Sequence, residues 1–97
     1  MRYVWDLAKD VLNQRKHGLS LADGIPAPED PGRDVSIDDR FDYGEIRLVT
    51  AGRSGRKVLI VVSTELSKTV DGEEITRIIS VRKANLYEED WFNLGRT

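Results

Sequence analysis

The chain contains no cysteine and only one histidine, His17, among its 97 residues. The first absence excludes disulfides and thiolate metal sites, and it fits a cytoplasmic home. The second rules out a multi-histidine metal centre built from a single copy of the chain. Long apolar runs are missing too. The longest, Val58 to Val62, is far too short to cross a bilayer. The opening MRYVWD reaches an acid at once and has no apolar leader core, so secretion is not expected. Proline is confined to Pro26, Pro28 and Pro31, and no regular element longer than a turn or two is expected around them.

What remains is 39% apolar and 33% charged, which suits one folded domain, 1–97, with one modest core. The net charge of −2 is unevenly spread. Between Asp23 and Glu45, eight acids face two bases, a local −6 that leaves +4 for the rest of the chain. A basic body with an acidic segment suits a polyanion on one side and repels it on the other. Solvated surface charge with no partner accounts for the same counts.

Tyr3-Val4-Trp5 reads as a brief strand, after which Asp6 stands where a helix N-cap belongs. Ala8, Val11 and Leu12, at i, i+3 and i+4, predict an amphipathic helix whose stripe Val4 and Arg15 extend. Lys16-His17 complements the helix dipole and Gly18 ends the helix. Ser20 caps a second, short helix through about Gly24. The following run predicts loop, with a short strand at Val35 to Ile37. Three strands come next: Glu45 to Ala51, Lys57 to Leu66 and Ile75 to Val81. Their turns fall at Gly52-Arg53-Ser54-Gly55 and Asp71-Gly72. "VLIVV" is apolar on both faces, as a central covered strand should be. Asn85 caps a last helix on which Tyr87, Trp91 and Leu94 share one side. The expected architecture is α+β. A small antiparallel sheet, with three long strands and a short N-terminal one, packs with an N-terminal helix, a short second helix and a C-terminal helix.

Chemistry-bearing motifs are scarce. There is no phosphate-binding glycine loop, no GxSxG elbow and no obvious carboxylate pair. His17 sits at a helix end, where dipole complementation explains it and acid–base chemistry is the alternative. The stretch "RIISVRKA" is more pointed. Strict alternation puts Arg77, Ile79, Val81 and Lys83 on one face, and Thr76, Ile78, Ser80 and Arg82 on the other. If Ile79 and Val81 are core, Arg77 and Lys83 leave it at the two strand ends, where Arg47 from a nearby strand can join one of them. Such cations suit phosphates. Salt bridges to Glu45, Glu65, Glu73 or Glu74 would explain them equally well.

Three separated stretches narrow the choice: "WDLAKDVLNQRKHGLSLADG", "YGEIRLVTAGRSGRKVLIVVSTE" and "RIISVRKANLYEEDWF". Taken in order, they resemble the BrnT toxin family over about Tyr3 to Phe92. Trp5, Asp6, Lys9, Asn13, Lys16, His17, Gly18, Arg47, Thr64, Glu65, Arg77, Ser80, Arg82 and Lys83 stand at matching positions. The chain departs from the pattern at Leu66, where the family has an arginine and Lys68 is the nearest substitute. It departs again in the hairpin from Ser67 to Glu74, which is longer than typical, and at Leu21-Ala22-Asp23-Gly24.

The resemblance implies a toxin of a type II toxin–antitoxin pair, with a RelE-like ribonuclease fold, that cleaves RNA and slows translation. No metal or cofactor is implied, because the ribose 2′-OH attacks the adjacent phosphate. The implied partner is a BrnA-like ribbon-helix-helix antitoxin, through which alone operator DNA is reached; no membrane is involved. On this reading Arg47, Arg77, Arg82 and Lys83 hold RNA phosphate and stabilise transition-state charge. His17 or Lys16 transfers protons, with Glu65 as second candidate base. Arg77, Lys83 and Trp91 meet the antitoxin, although a tryptophan in so small a domain is more often core. A second class of function keeps the fold without the catalysis: a binding module that pairs with the antitoxin and co-represses its operon. Leu66 and the acidic stretch favour it.

Overall fold

The computed structural model describes residues 2–39, 42 and 44–95. In chain order come β1 (Arg2–Val4), α1 (Leu7–His17), a 3-10 turn (Leu21–Gly24), α2 (Pro26–Glu29) and β2 (Asp34–Ile37). There follow β3 (Arg47–Ser54), β4 (Lys57–Thr64), β5 (Ser67–Lys68), β6 (Glu74–Lys83) and α3 (Leu86–Leu94). The fold is α+β, with sheet order β1-β6-β4-β3-β2 and β5 paired to β6. The three long strands form an antiparallel meander, as expected. Because β1 joins β6 in parallel, the sheet as a whole is mixed.

Local chemistry sets the helix ends. The Asp6 carboxylate accepts the backbone N–H groups of Ala8 and Lys9 at 2.8 and 3.1 Å, and Gly18, at φ 71°, closes α1 in the left-handed region. Ser20 and Asp23 cap the 3-10 turn reciprocally, as Asn85 and Glu88 cap α3. The short strand expected around Val35 is β2, on the outer edge of β3.

Core residues fill both faces of β4. On one face Leu59 and Val61 pack with Leu21, Ala27, Ile78 and Val81 beneath the N-terminal elements. On the other, Val58 and Ile60 pack with Ala84 and Phe92 beneath α3. This two-sided cover is why the strand reads as an unbroken apolar run.

Four details differ from expectation. The β3–β4 turn is the pair Gly55-Arg56 between the partners Ser54 and Lys57, and β3 runs straight through Gly52. A Cβ at Gly52 would overlap the Ala27 carbonyl, so this glycine admits α2 to the sheet and does not mark the turn.

The apolar stripe of α1 faces outward: Leu12 is 60% exposed and Val11 is exposed with it. Asn13 is buried instead, donating to the carbonyls of Leu19 and Val81, both at 2.8 Å, and accepting the Val81 N–H at 3.0 Å. The reason is the brevity of β1, which reaches only Arg77 and leaves the β6 edge beyond it unpaired. Each buried backbone group left unsatisfied would cost about 1–3 kcal/mol, so the amide takes the inner face.

Strict alternation also fails along β6. Val62 pairs with Ser80 but Ser63 pairs with Ile78, so Ile79 is an extra, bulged residue. Paired residues share a face, which puts Ile78, Val81 and Lys83 on the side of the N-terminal helices. Arg77 and Arg82 point to the α3 side. Arg77 and Lys83 therefore lie on opposite faces.

Trp91, finally, is not core: it is 58% exposed, and its neighbour Phe92 is buried. Among the described residues, no helix is long and apolar enough to cross a membrane.

Candidate active site

The bulge at Ile79 creates the site. Where the β4–β6 ladder ends at Ser63 and Ile78, the Thr64 hydroxyl takes over as acceptor for the Arg77 N–H, at 3.0 Å. Arg77 is thereby fixed at the mouth of an open cleft of about 520 Å³, lined also by Val4, Glu45, Thr64, Glu65 and Leu66. One oxygen of Glu45, Oε1, accepts from Arg77 Nη2 at 2.6 Å and from Arg47 Nε at 3.3 Å. The three side chains are 34%, 44% and 19% exposed respectively. Two guanidinium groups thus converge on a single anion.

From Arg77 the surface continues along the junction of α1 and β6. A second cleft of about 440 Å³ shares Arg77 and adds Trp5, Asp6, Lys9 and Ile79. A third, of about 500 Å³, shares Lys9 and Ile79 and holds Lys16, His17 and Ser80. Neighbouring clefts share lining residues, and each has at least one cation in its lining. Lys9 and His17, eight residues apart on α1, are separated by about 12 Å along the helix axis.

The residues singled out in the sequence therefore fall into separate groups. Glu65 and Arg77 line the first cleft, and Arg47 reaches it only through its bond to Glu45. Lys16 and His17 line the third. Lys83 is exposed on the face of the N-terminal helices, opposite to Arg77, and Trp91 is on α3. Arg82 is engaged elsewhere, with Nη1 and Nη2 on the two oxygens of Glu88 at 2.7 and 2.8 Å. Glu88 also accepts the Asn85 N–H at 2.9 Å, so this arginine is locked into the cap of α3. Its carboxyl is held at about 2, chiefly by the hydrogen bonds from Arg82.

Glu45 is the functional candidate that sequence reasoning missed. It entered only as one of four possible salt-bridge partners. The available signal was its spacing: Glu45 and Arg47, two apart at the start of a strand, project to the same side. Lys9 was noticed only as a matching position, and its place between two clefts depends on how α1 is rotated.

The family model described as "Ribonuclease toxin, BrnT, of type II toxin-antitoxin system" matches residues 5–88. The chain belongs to that family of ribonuclease toxins, whose members act opposite a protein antitoxin. No curated protein matches the chain.

Proposed function

We propose that this protein is a metal-independent endoribonuclease with a RelE-like fold that cuts cytoplasmic RNA and so slows translation. Arg47 and Arg77 grip the scissile phosphodiester and stabilise the added charge of its pentacoordinate transition state. Glu65, in the same cleft, takes the proton of the ribose 2′-OH. The 2′-oxygen then bonds to phosphorus and the 5′-oxygen leaves with a proton, giving a 2′,3′-cyclic phosphate and a 5′-hydroxyl end. Lys9, Lys16 and His17 hold the neighbouring stretch of the strand along the adjoining clefts. On this reading His17 is a flanking contact, because it lines a different cleft from Arg77. A BrnA-like ribbon-helix-helix antitoxin covers the cationic clefts and brings the pair to operator DNA. The exposed Trp91 offers it a second anchor.

The observation that carries this reading is that Arg77 and Glu65 line one open cleft, whose Glu45 also accepts from Arg47, in a chain of this family. Among the described residues, no three His, Cys, Asp or Glu side chains cluster as metal ligands. The test is RNA integrity and protein synthesis in a cell-free extract, with purified protein and a chelator present. Cleavage is expected for the wild type and its loss for Arg77→Ala and Glu65→Gln.

One observation favours a non-catalytic binding module. Leu66 lines the same cleft at the position where the family pattern carries an arginine. Intact RNA and unaffected synthesis with folded wild-type protein would select that reading.

A further inference from the structure

Glu45 stands where a substrate phosphate would stand. Its Oε1 takes the Arg77 and Arg47 hydrogen bonds at 2.6 and 3.3 Å, the donors a phosphodiester oxygen would need. We propose that Glu45 is a resident anion of this site: it holds the place of the RNA phosphate and must be displaced for RNA to bind. The inference rests on the reading of Arg47 and Arg77 as the phosphate grip, and it assigns Glu45 the setting of RNA affinity.

Three features make displacement practicable. Glu45 lies just before β3, whose pairing with β4 begins at Arg47, so its movement breaks no hydrogen bond of that ladder. Its side chain is one-third exposed and opens on the cleft, which gives an incoming phosphate an approach. The contact it gives up is modest, because ion pairs at such exposure change an equilibrium by a factor of about five at most. A phosphate that engages both guanidinium forks recovers more than that. Meanwhile the carboxylate keeps two like charges from repelling each other across β3 and β6 while the site is empty.

Proton transfer is the other role open to Glu45, and Glu65 fits that role better. Glu65 lines the same cleft and makes no ion pair with a described residue, whereas Glu45 Oε1 is engaged by two guanidinium groups. A carboxylate so engaged is a weaker base.

The experiment measures the affinity of a short fluorescent 2′-O-methyl RNA, which cannot be cleaved because its 2′-oxygens are blocked. Glu45→Gln is expected to tighten binding on the order of fivefold at low salt, with the gain shrinking as salt rises. In an Arg77→Gln background the same change should give little gain. Unchanged or weaker binding by a folded Glu45→Gln protein overturns the proposal. So does an equal gain in the Arg77→Gln background, which would mark a general charge effect. Should Glu45→Gln fail to fold, Glu45→Asp draws the carboxylate back by one methylene. It should then show a smaller gain, on the order of twofold, and its absence also overturns the proposal. If neither wild type nor variants bind RNA, the phosphate grip itself fails. If the wild type binds and no variant gains, only the role of Glu45 fails.

Discussion

Strand β6 carries an arginine–glutamate cluster at each end, and the two are built differently. Near its C-terminal end, Arg82 lies fork to fork on both oxygens of Glu88, at 2.7 and 2.8 Å. The carboxylate is itself tied to the N-cap of α3. Near the other end, two arginines share one oxygen of Glu45, which belongs to no helix or strand. Arg77 and Glu45 of that cluster line an open cleft. The contrast shows how one pair of residue types yields two outcomes. Where the acceptor is anchored, the pair serves the fold. Where the acceptor stands outside any helix or strand and opens on a cleft, another anion can compete for the same donors.

The most damaging test of this contrast is charge reversal at the open end. Arg77→Glu should reduce single-turnover RNA cleavage at least about 100-fold, as loss of a charge-stabilising donor does in other active sites. A folded variant that cleaves within about tenfold of wild type would place the grip elsewhere.

The matching change at the closed end is Arg82→Met, which keeps the aliphatic stem. It should cost stability of about 1–2 kcal/mol, or roughly 5–10 °C in melting temperature for a domain of this size. Circular dichroism melting reads this directly. A drop in RNA affinity as large as that of Arg77→Glu, with no change in melting, would erase the distinction.

Acid should dissect the closed cluster further. Glu88 titrates near 2 in the fold against an ordinary 4.5, held down mainly by its hydrogen bonds from Arg82. A lowered carboxyl pKa contributes stability that is full above pH 4.5 and is lost as pH falls from there through about 2. Allowing for solvent screening, the loss is about 1 kcal/mol. Urea unfolding of wild type and Glu88→Gln at pH 6, 4 and 3 measures it, and only the wild type should show this component.

The smallest effect on stability is expected at the exposed edge of α3. Trp91→Ser should shift unfolding by no more than about 0.5 kcal/mol, while capture by a tagged antitoxin falls. A larger loss of stability would show that Trp91 packs more tightly than its exposure suggests.

Much of this fold is legible in the sequence because the deciding contacts are local. Asp6, Ser20 and Asn85 each cap through a backbone group no more than three residues away, so spacing alone identifies them. The strands show their period directly, and "VLIVV" announces burial on both sides. The cationic site was half legible: Arg47, Arg77 and Glu65 stood out as residues, but their grouping did not. Arg77 and Glu45 meet across 32 positions, a pairing that no local pattern encodes. The same holds for Asn13, which reaches Val81 across 68 positions and turns α1 so that its apolar stripe faces outward.

By itself, then, the sequence determined where α1, the 3-10 turn and α3 start, where the three long strands run, and that cations crowd the last of them. Tertiary structure decided which of those cations share a surface. The bulge at Ile79 put Arg77 and Lys83 on opposite faces, α3 claimed Arg82, and Glu45 drew Arg47 and Arg77 together. The physical reason is that strand register and helix rotation minimise unsatisfied backbone groups and voids across the whole sheet. A one-residue slip in that global balance moves a side chain from one face to the other.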